Sequence, residues 1–134
     1  MKEIGASNEE MIDVFCLQIR CLAEMGCPAW NGSLTLNDIN KLEAIQKTAF
    51  KIILGDKYGS YQNALSTLKL PKLDKRRDLI CKKFARNIER SPKFSKWLQK
   101  APRTNRFTNK YSLPKTKTMI YKKSPLFYLT NLLN

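Results

Sequence analysis

Residues 42–65, "LEAIQKTAFKIILGDKYGSYQNAL", decide the fold. Leu42, Ile45, Ala49, Ile52 and Ile53 recur at three- and four-residue steps, the period of an amphipathic helix. Gly55 suits the stop of that helix. "GDKYGS" reads as a turn, and Ser60 is placed to cap a second, shorter helix over 61–68. Upstream, Thr35 as N-cap and Asp38 near the positive helix end extend the first helix to 36–54, with Ile39 joining its stripe. A helical hairpin of this kind implies an all-α chain.

Outward from the hairpin the helical period continues on both sides. Residues 7–25 read as a helix with a Ser7–Glu10 capping box and a face of Ile12, Phe15, Ile19 and Leu22. Gly26 and Pro28 end it. Residues 73–90 read as a helix with an apolar meridian of Leu73, Ile80, Phe84 and Ile88. Arg77 falls on that meridian, so it needs an acceptor: a carboxylate or helix-end carbonyls from the first half of the chain. Ser91 and Pro92 start a short fifth helix that Phe94, Trp97 and Leu98 would dock. From Ala101 the pattern fades until "SPLFYLTNLLN", a terminal turn of helix or a docking peptide. The expectation is an all-α fold: a small bundle of four to five helices over residues 1–100. An irregular basic tail over 101–134, with a short terminal apolar segment, completes it.

Charge is distributed unevenly along this frame. The net charge is +14, from 25 basic and 11 acidic side chains. Residues 1–71 carry a net of −1, residues 72–100 a net of +8, and residues 101–134 a net of +7 with no acid. A field of that kind attracts polyanions, nucleic acid first and an anionic membrane face second.

The chemistry that catalysis needs is not assembled in this sequence. Two-metal enzymes cluster carboxylates, and the adjacent pair Glu9-Glu10 is explained by its place at a helix N-terminus. Without histidine there is no Ser-His or Cys-His pair. The five glycines are dispersed and form no phosphate loop. Cys16, Cys21, Cys27 and Cys81 contain no Cys-x-x-Cys pair, so neither zinc nor another cofactor is expected, and Cys16 and Cys81 read as reduced core thiols. No run of 18 apolar residues and no signal peptide appear, which places the expectation in the cytoplasm or nucleus.

What remains is the basic half. Lys75, Lys82 and Arg86 point away from the apolar meridian, with Lys83 and Arg90 beside them. With Arg76, Lys93 and Lys96 they form the candidate nucleic-acid surface, continued by a tail in which Phe107, Tyr111 and Tyr121 are interspersed. Basic side chains neutralise phosphates and aromatics stack on bases. The bland alternative is a solvated cationic face. A third reading is binding to an anionic membrane surface through the tail and "SPLFYLTNLL".

The order of motifs resembles one family. "CPAWNGSLTLNDINKLEAIQKTAFKIILG" is similar to the segment that follows the polymerase core in reverse transcriptases of non-LTR (LINE-type, jockey-like) retrotransposons. The matching positions are Pro28, Trp30, Leu42, Glu43, Ile45, Gln46, Lys47, Ala49, Lys51, Ile52, Ile53 and Gly55. "SYQNALSTLKLPKLDKRRDLICKKFA" and "YSLPKTKTMIYKKSPLFYLTNLLN" continue the likeness to the end of the chain. Lys72 departs from it, standing where the family often has a capping Ser or Thr. The family's Asp-Asp catalytic box, fingers, palm and endonuclease would lie upstream of Met1, so "MKEIGAS" looks like a truncated start. The resemblance implies a non-catalytic, thumb-like helical piece. Its first three helices would be scaffold, and its basic helix and tail would meet the backbone of RNA, DNA or their hybrid. The absent polymerase core is the other partner it implies.

Overall fold

The computed structural model describes residues 5–102 and 109–134, so Phe107 of the expected aromatic set lies outside them. The chain is all-α: among the described residues there is no strand, only an isolated antiparallel bridge between Lys100 and Tyr111. Its contacts gather into two compact units, Met1–Met25 with Thr35–Arg76, and Gly26–Leu34 with Arg77–Asn134.

The first unit opens with α1 (Asn8–Val14), a π-helical segment Phe15–Arg20, and α2 (Cys21–Glu24). Ser7 forms its capping box: Ser7 Oγ accepts from the Glu10 amide at 3.2 Å, and Glu10 Oε2 accepts from the Ser7 amide at 2.8 Å. Those bonds hold the Glu10 carboxyl below its usual pKa. Met11 and Phe15 are buried, but Ile19 and Leu22, expected on the same face, are 43% and 67% exposed. The π segment explains the correction, because its wider turn shifts the phase of everything after Phe15.

The central helix of this unit, labelled α4, is Leu36–Leu54, and it starts at the Thr35–Asp38 capping box. Gly55 ends it with φ +54° and ψ −125°, a conformation side chains resist. Its buried line is Glu43, Gln46, Phe50, Ile53 and Leu54, while the expected Ile45 and Ile52 are exposed. The line is rotated because its two polar members are paired. The Tyr61 hydroxyl donates to Glu43 Oε1, and Gln46 Nε2 donates to Tyr61 Oη and to the Pro71 carbonyl, both at 3.0 Å. Burial and the Glu43 carboxylate push the Tyr61 phenol up. Ser60 caps α5 (Tyr61–Leu68), accepting from the Asn63 amide. Phe15 meets Phe50 edge-on at 5.9 Å, and Phe50 meets Tyr61 at the same distance, closing a core with Met11, Ile53 and Ala64.

The second unit begins at Gly26, φ +65°, followed by α3 (Cys27–Trp30) and a 3₁₀ turn, Asn31–Ser33. Helix α6 (Leu73–Arg90) gives its first turn to the first unit and the rest, from Arg77, to the second. In place of a regular fifth helix, residues 92–94 form a turn and Ser95–Trp97 a 3₁₀ turn. Further along the chain come α7 (Met119–Lys122) and α8 (Pro125–Leu133), the latter capped by Ser124 with Pro125 in its first turn. The core is Cys27, Cys81, Ala85, Ile88, Leu98, Tyr111 and Leu129, with Trp30, Ile80 and Tyr128 packed against it. Tyr111 and Leu129 belong to the stretch read as an irregular tail. Their segment is tied down where Tyr111 exchanges two bonds with the Asn134 side chain.

Within α6 the buried residues are Leu73, Arg77, Cys81, Ala85 and Ile88, so Leu73 and Ile88 keep their expected places while the centre of the buried face is turned by about 45° from the expected meridian at 100° per residue. Phe84, expected in the core, is 44% exposed. Arg77 is fully buried, and its acceptor is an amide rather than a carboxylate: Nε donates to Asn31 Oδ1 at 3.0 Å, with the guanidinium 5.9 Å from the Trp30 ring centroid. Asn31 in turn donates to Tyr128 Oη at 2.8 Å and Asp78 Oδ1 at 3.1 Å. Gly32 makes room for this cluster, since a Cβ there would lie 2.6 Å from Tyr128 Cγ.

Candidate nucleic-acid interface

Lys82, Lys83, Arg86 and Arg90 are all exposed on the second unit's part of α6. Lys82, Arg86 and Arg90 sit one helical turn apart and centre about 160° from the buried face. Arg86 and Arg90 lie nearest the opposite of that face, with Lys82 on one side of them and Lys83 on the other. Each step along the ladder advances about 6 Å, against about 3.4 Å of axis per nucleotide in one strand of duplex.

Lys93 and Lys96 extend this surface past the end of α6, both exposed. Lys93 Nζ lies 5.6 Å from the Phe94 ring centroid. Lys75 and Arg76 belong to the first unit. Lys75 is exposed, whereas the Arg76 guanidinium is engaged with Glu24 at 2.6 Å, with Arg20 3.7 Å from the same carboxylate oxygen. Arg76 is thus part of an internal carboxylate clamp.

The counter-charges of the second unit are both occupied. Its sequence holds fifteen basic and two acidic side chains, a net of +13. Asp78 accepts from Asn31 and from Tyr128 Oη. Glu89 is held by Lys110 and by the Tyr111 hydroxyl at 2.8 Å, which keeps its carboxyl below the usual range. Among the described residues Lys82, Lys83, Arg86, Arg90 and Lys96 form no ion pair. The ladder is therefore available to an external anion.

The aromatics expected to interleave with the basic residues divide. Tyr111 is buried with its hydroxyl on Glu89, so it offers no stacking face. Tyr121 is 44% exposed. The segment read as a membrane-binding peptide turns Leu129 and Thr130 inward, and no described helix is long and apolar enough to cross a membrane. Cys81 and Cys27 touch at 3.8 Å as thiols in the core, and burial pushes the Cys81 thiol up. Among the described residues no group of three or more His, Cys, Asp or Glu side chains gathers as a metal site.

Sequence reasoning missed one feature. Phe84 reads as a core residue and Phe94 and Trp97 as docking residues, yet with Tyr121 and Leu126 they line an open apolar groove of about 930 Å³ in the second unit. Phe94 and Trp97 meet edge-on at 5.0 Å inside it. Their periodic spacing gave no sign that they face solvent. Comparison of the chain with family models, with curated proteins and with solved structures gives no match.

Proposed function

We propose that this chain is a non-catalytic module that contacts nucleic-acid backbone through the exposed cationic ladder of α6. Its order of motifs resembles the helical segment after the palm of non-LTR retrotransposon reverse transcriptases, and such a segment would meet primer–template duplex by charge and shape. The observation that carries the reading is the ladder itself: Lys82, Arg86 and Arg90 repeat along one exposed line in a unit whose two acids are already bonded internally. Such contacts fix position on the backbone and read little sequence.

The test is binding of a labelled RNA–DNA hybrid by the full chain and by a variant with Lys82, Lys83, Arg86 and Arg90 replaced by Gln. The expected result is a loss of roughly tenfold or more in affinity at moderate salt, with the far-UV spectrum unchanged, since each contact released costs about 0.9 in the salt slope. Unchanged affinity would remove α6 as the contact surface.

A further inference from the structure

Residues 16–25, "CLQIRCLAEM", carry three sulfurs in the first unit, away from the ladder. On a regular α-helix Cys16 and Cys21 would stand about 140° apart, because five residues overshoot a full turn by that much. The π segment Phe15–Arg20 changes this. Its bonds run from residue i to i+5, so five residues make little more than one turn. Cys16 and Cys21 therefore come onto one side of the helix, and Met25, four residues further on, joins them at the end of α2. A π turn inside an α-helix is rare and is found most often where it serves a site.

All three sulfur residues line one open cavity of about 430 Å³ in the first unit, with Leu17, Glu24 and Arg76 as its other walls. Both cysteines are free thiols, Cys16 half-buried and Cys21 exposed. Cys27 and Cys81 differ, since they meet in the core of the second unit with no exposed surface.

The donors decide the ligand. The carboxylate of the cavity, Glu24, is held by Arg76 at 2.6 Å, and Arg20 lies 3.7 Å from the same oxygen. That leaves thiolate and thioether sulfur, soft donors that select Cu(I) over hard cations. A structural zinc site closes a tetrahedron of Cys and His, and no group of three His, Cys, Asp or Glu gathers among the described residues. Cu(I) is satisfied by two thiolates, with a thioether as a weaker third donor. Binding breaks two S–H bonds, forms two Cu–S bonds and releases two protons, with the copper unchanged in oxidation state. The bis-thiolate complex then carries one excess negative charge, and the Arg76 guanidinium is in the same cavity wall to offset it. We infer that this cavity binds a single Cu(I) ion between the Cys16 and Cys21 thiolates, with the Met25 thioether beside it. The inference goes beyond the nucleic-acid reading and does not rest on it.

The experiment titrates the reduced full chain with Cu(I) under anaerobic conditions, against the chelator bathocuproine disulfonate, whose coloured complex reports the copper it takes. The expected result is one Cu(I) retained per chain. Cys16→Ser and Cys21→Ser, neither at a fully buried position, should each weaken retention about tenfold or more while the circular dichroism spectrum is kept. Met25→Leu should weaken it by a smaller factor, roughly threefold. In the unaltered chain, one equivalent of Cu(I) should protect Cys16 and Cys21 together from alkylation, read by peptide mass spectrometry. Copper lost entirely to the chelator, or retained equally by both serine variants, would overturn the inference. So would alkylation of Cys16 and Cys21 that copper leaves unchanged, or Zn(II) held as tightly as Cu(I), since soft donors would then not be selecting the ion.

Discussion

The two units solve packing alike and charge differently. Each buries an aromatic or sulfur-rich apolar core and ties its buried polar side chains through one of their polar atoms: Glu43 and Gln46 to Tyr61 in the first, Arg77 to Asn31 in the second, with Glu43 Oε2, Gln46 Oε1 and one terminal nitrogen of Arg77 left without a hydrogen-bond partner. Yet the first unit carries ten basic and nine acidic side chains, a net of +1, while the second carries a net of +13. The first engages Arg76 and Arg20 with Glu24 and sets Lys47 over the Tyr61 ring. The second leaves a ladder of them unpaired. A chain-wide charge of +14 is therefore the property of one unit, and the surface that would meet a polyanion lies there.

That contrast breaks most easily at the cores. Phe50→Ala removes the ring at the centre of the first unit and should cost about 3–5 kcal/mol, read by urea unfolding. A loss below about 1 kcal/mol would mean that Phe50 is not a core residue. In the second unit Gly32→Ala forces Tyr128 to move and should cost about 1–3 kcal/mol by overpacking. A neutral result would show that the Tyr128 ring gives way freely.

Charge variants sharpen the comparison directly. Neutralising Lys41, Lys47, Lys57 and Lys69 to Gln changes the net charge by as much as neutralising the four ladder residues, and all four are exposed in the first unit. If unit identity matters, the first set should cost less than about threefold in hybrid affinity, and the ladder set about tenfold or more. Equal losses would reduce the ladder to generic charge.

The smallest expected effect concerns Glu89. Lys110 and Tyr111 lower its pKa in the folded state, so its contribution to stability is present above its unfolded pKa and is lost as pH falls through the folded value. Glu89 in turn raises the Lys110 pKa, and Tyr111 is raised by burial and by Glu89, so their contributions are lost as pH rises through the alkaline range. Glu89→Gln should lower the melting temperature at neutral pH, and the gap between variant and parent should close in acid. A gap independent of pH would show that the carboxylate charge plays no part.

The longer helices and their ends were legible in the sequence because they are local, whereas the expected fifth helix is only a turn and a 3₁₀ turn. Thr35 with Asp38, Ser7 with Glu10, Ser60 and Gly55 mark boundaries that the structure keeps to within a residue or two. Which face each helix buries was less legible, because partners distant in sequence decide it. Tyr61 and the Pro71 carbonyl draw Glu43 and Gln46 inward, and Asn31 does the same for Arg77. The π segment after Val14 carries no sequence mark that periodicity could detect, and it turned Ile19 and Leu22 outward. Of the candidate site, the ladder on α6 was readable from spacing. The engagement of Arg76 by Glu24 was not, since 52 residues separate them. The groove was hidden for the same reason: Phe84, Phe94 and Trp97 have core periodicity, and only the packing of the second unit leaves them open.

The most direct test of the central claim is anisotropy of a labelled RNA–DNA hybrid titrated with the full chain over a salt series, beside a polylysine of equal charge. The account predicts tighter binding than the polylysine, with a slope of log K against log salt that becomes shallower by roughly three to four when the four ladder residues are changed to Gln. Affinity equal to the polylysine, with a slope that the ladder variant leaves unchanged, would contradict it.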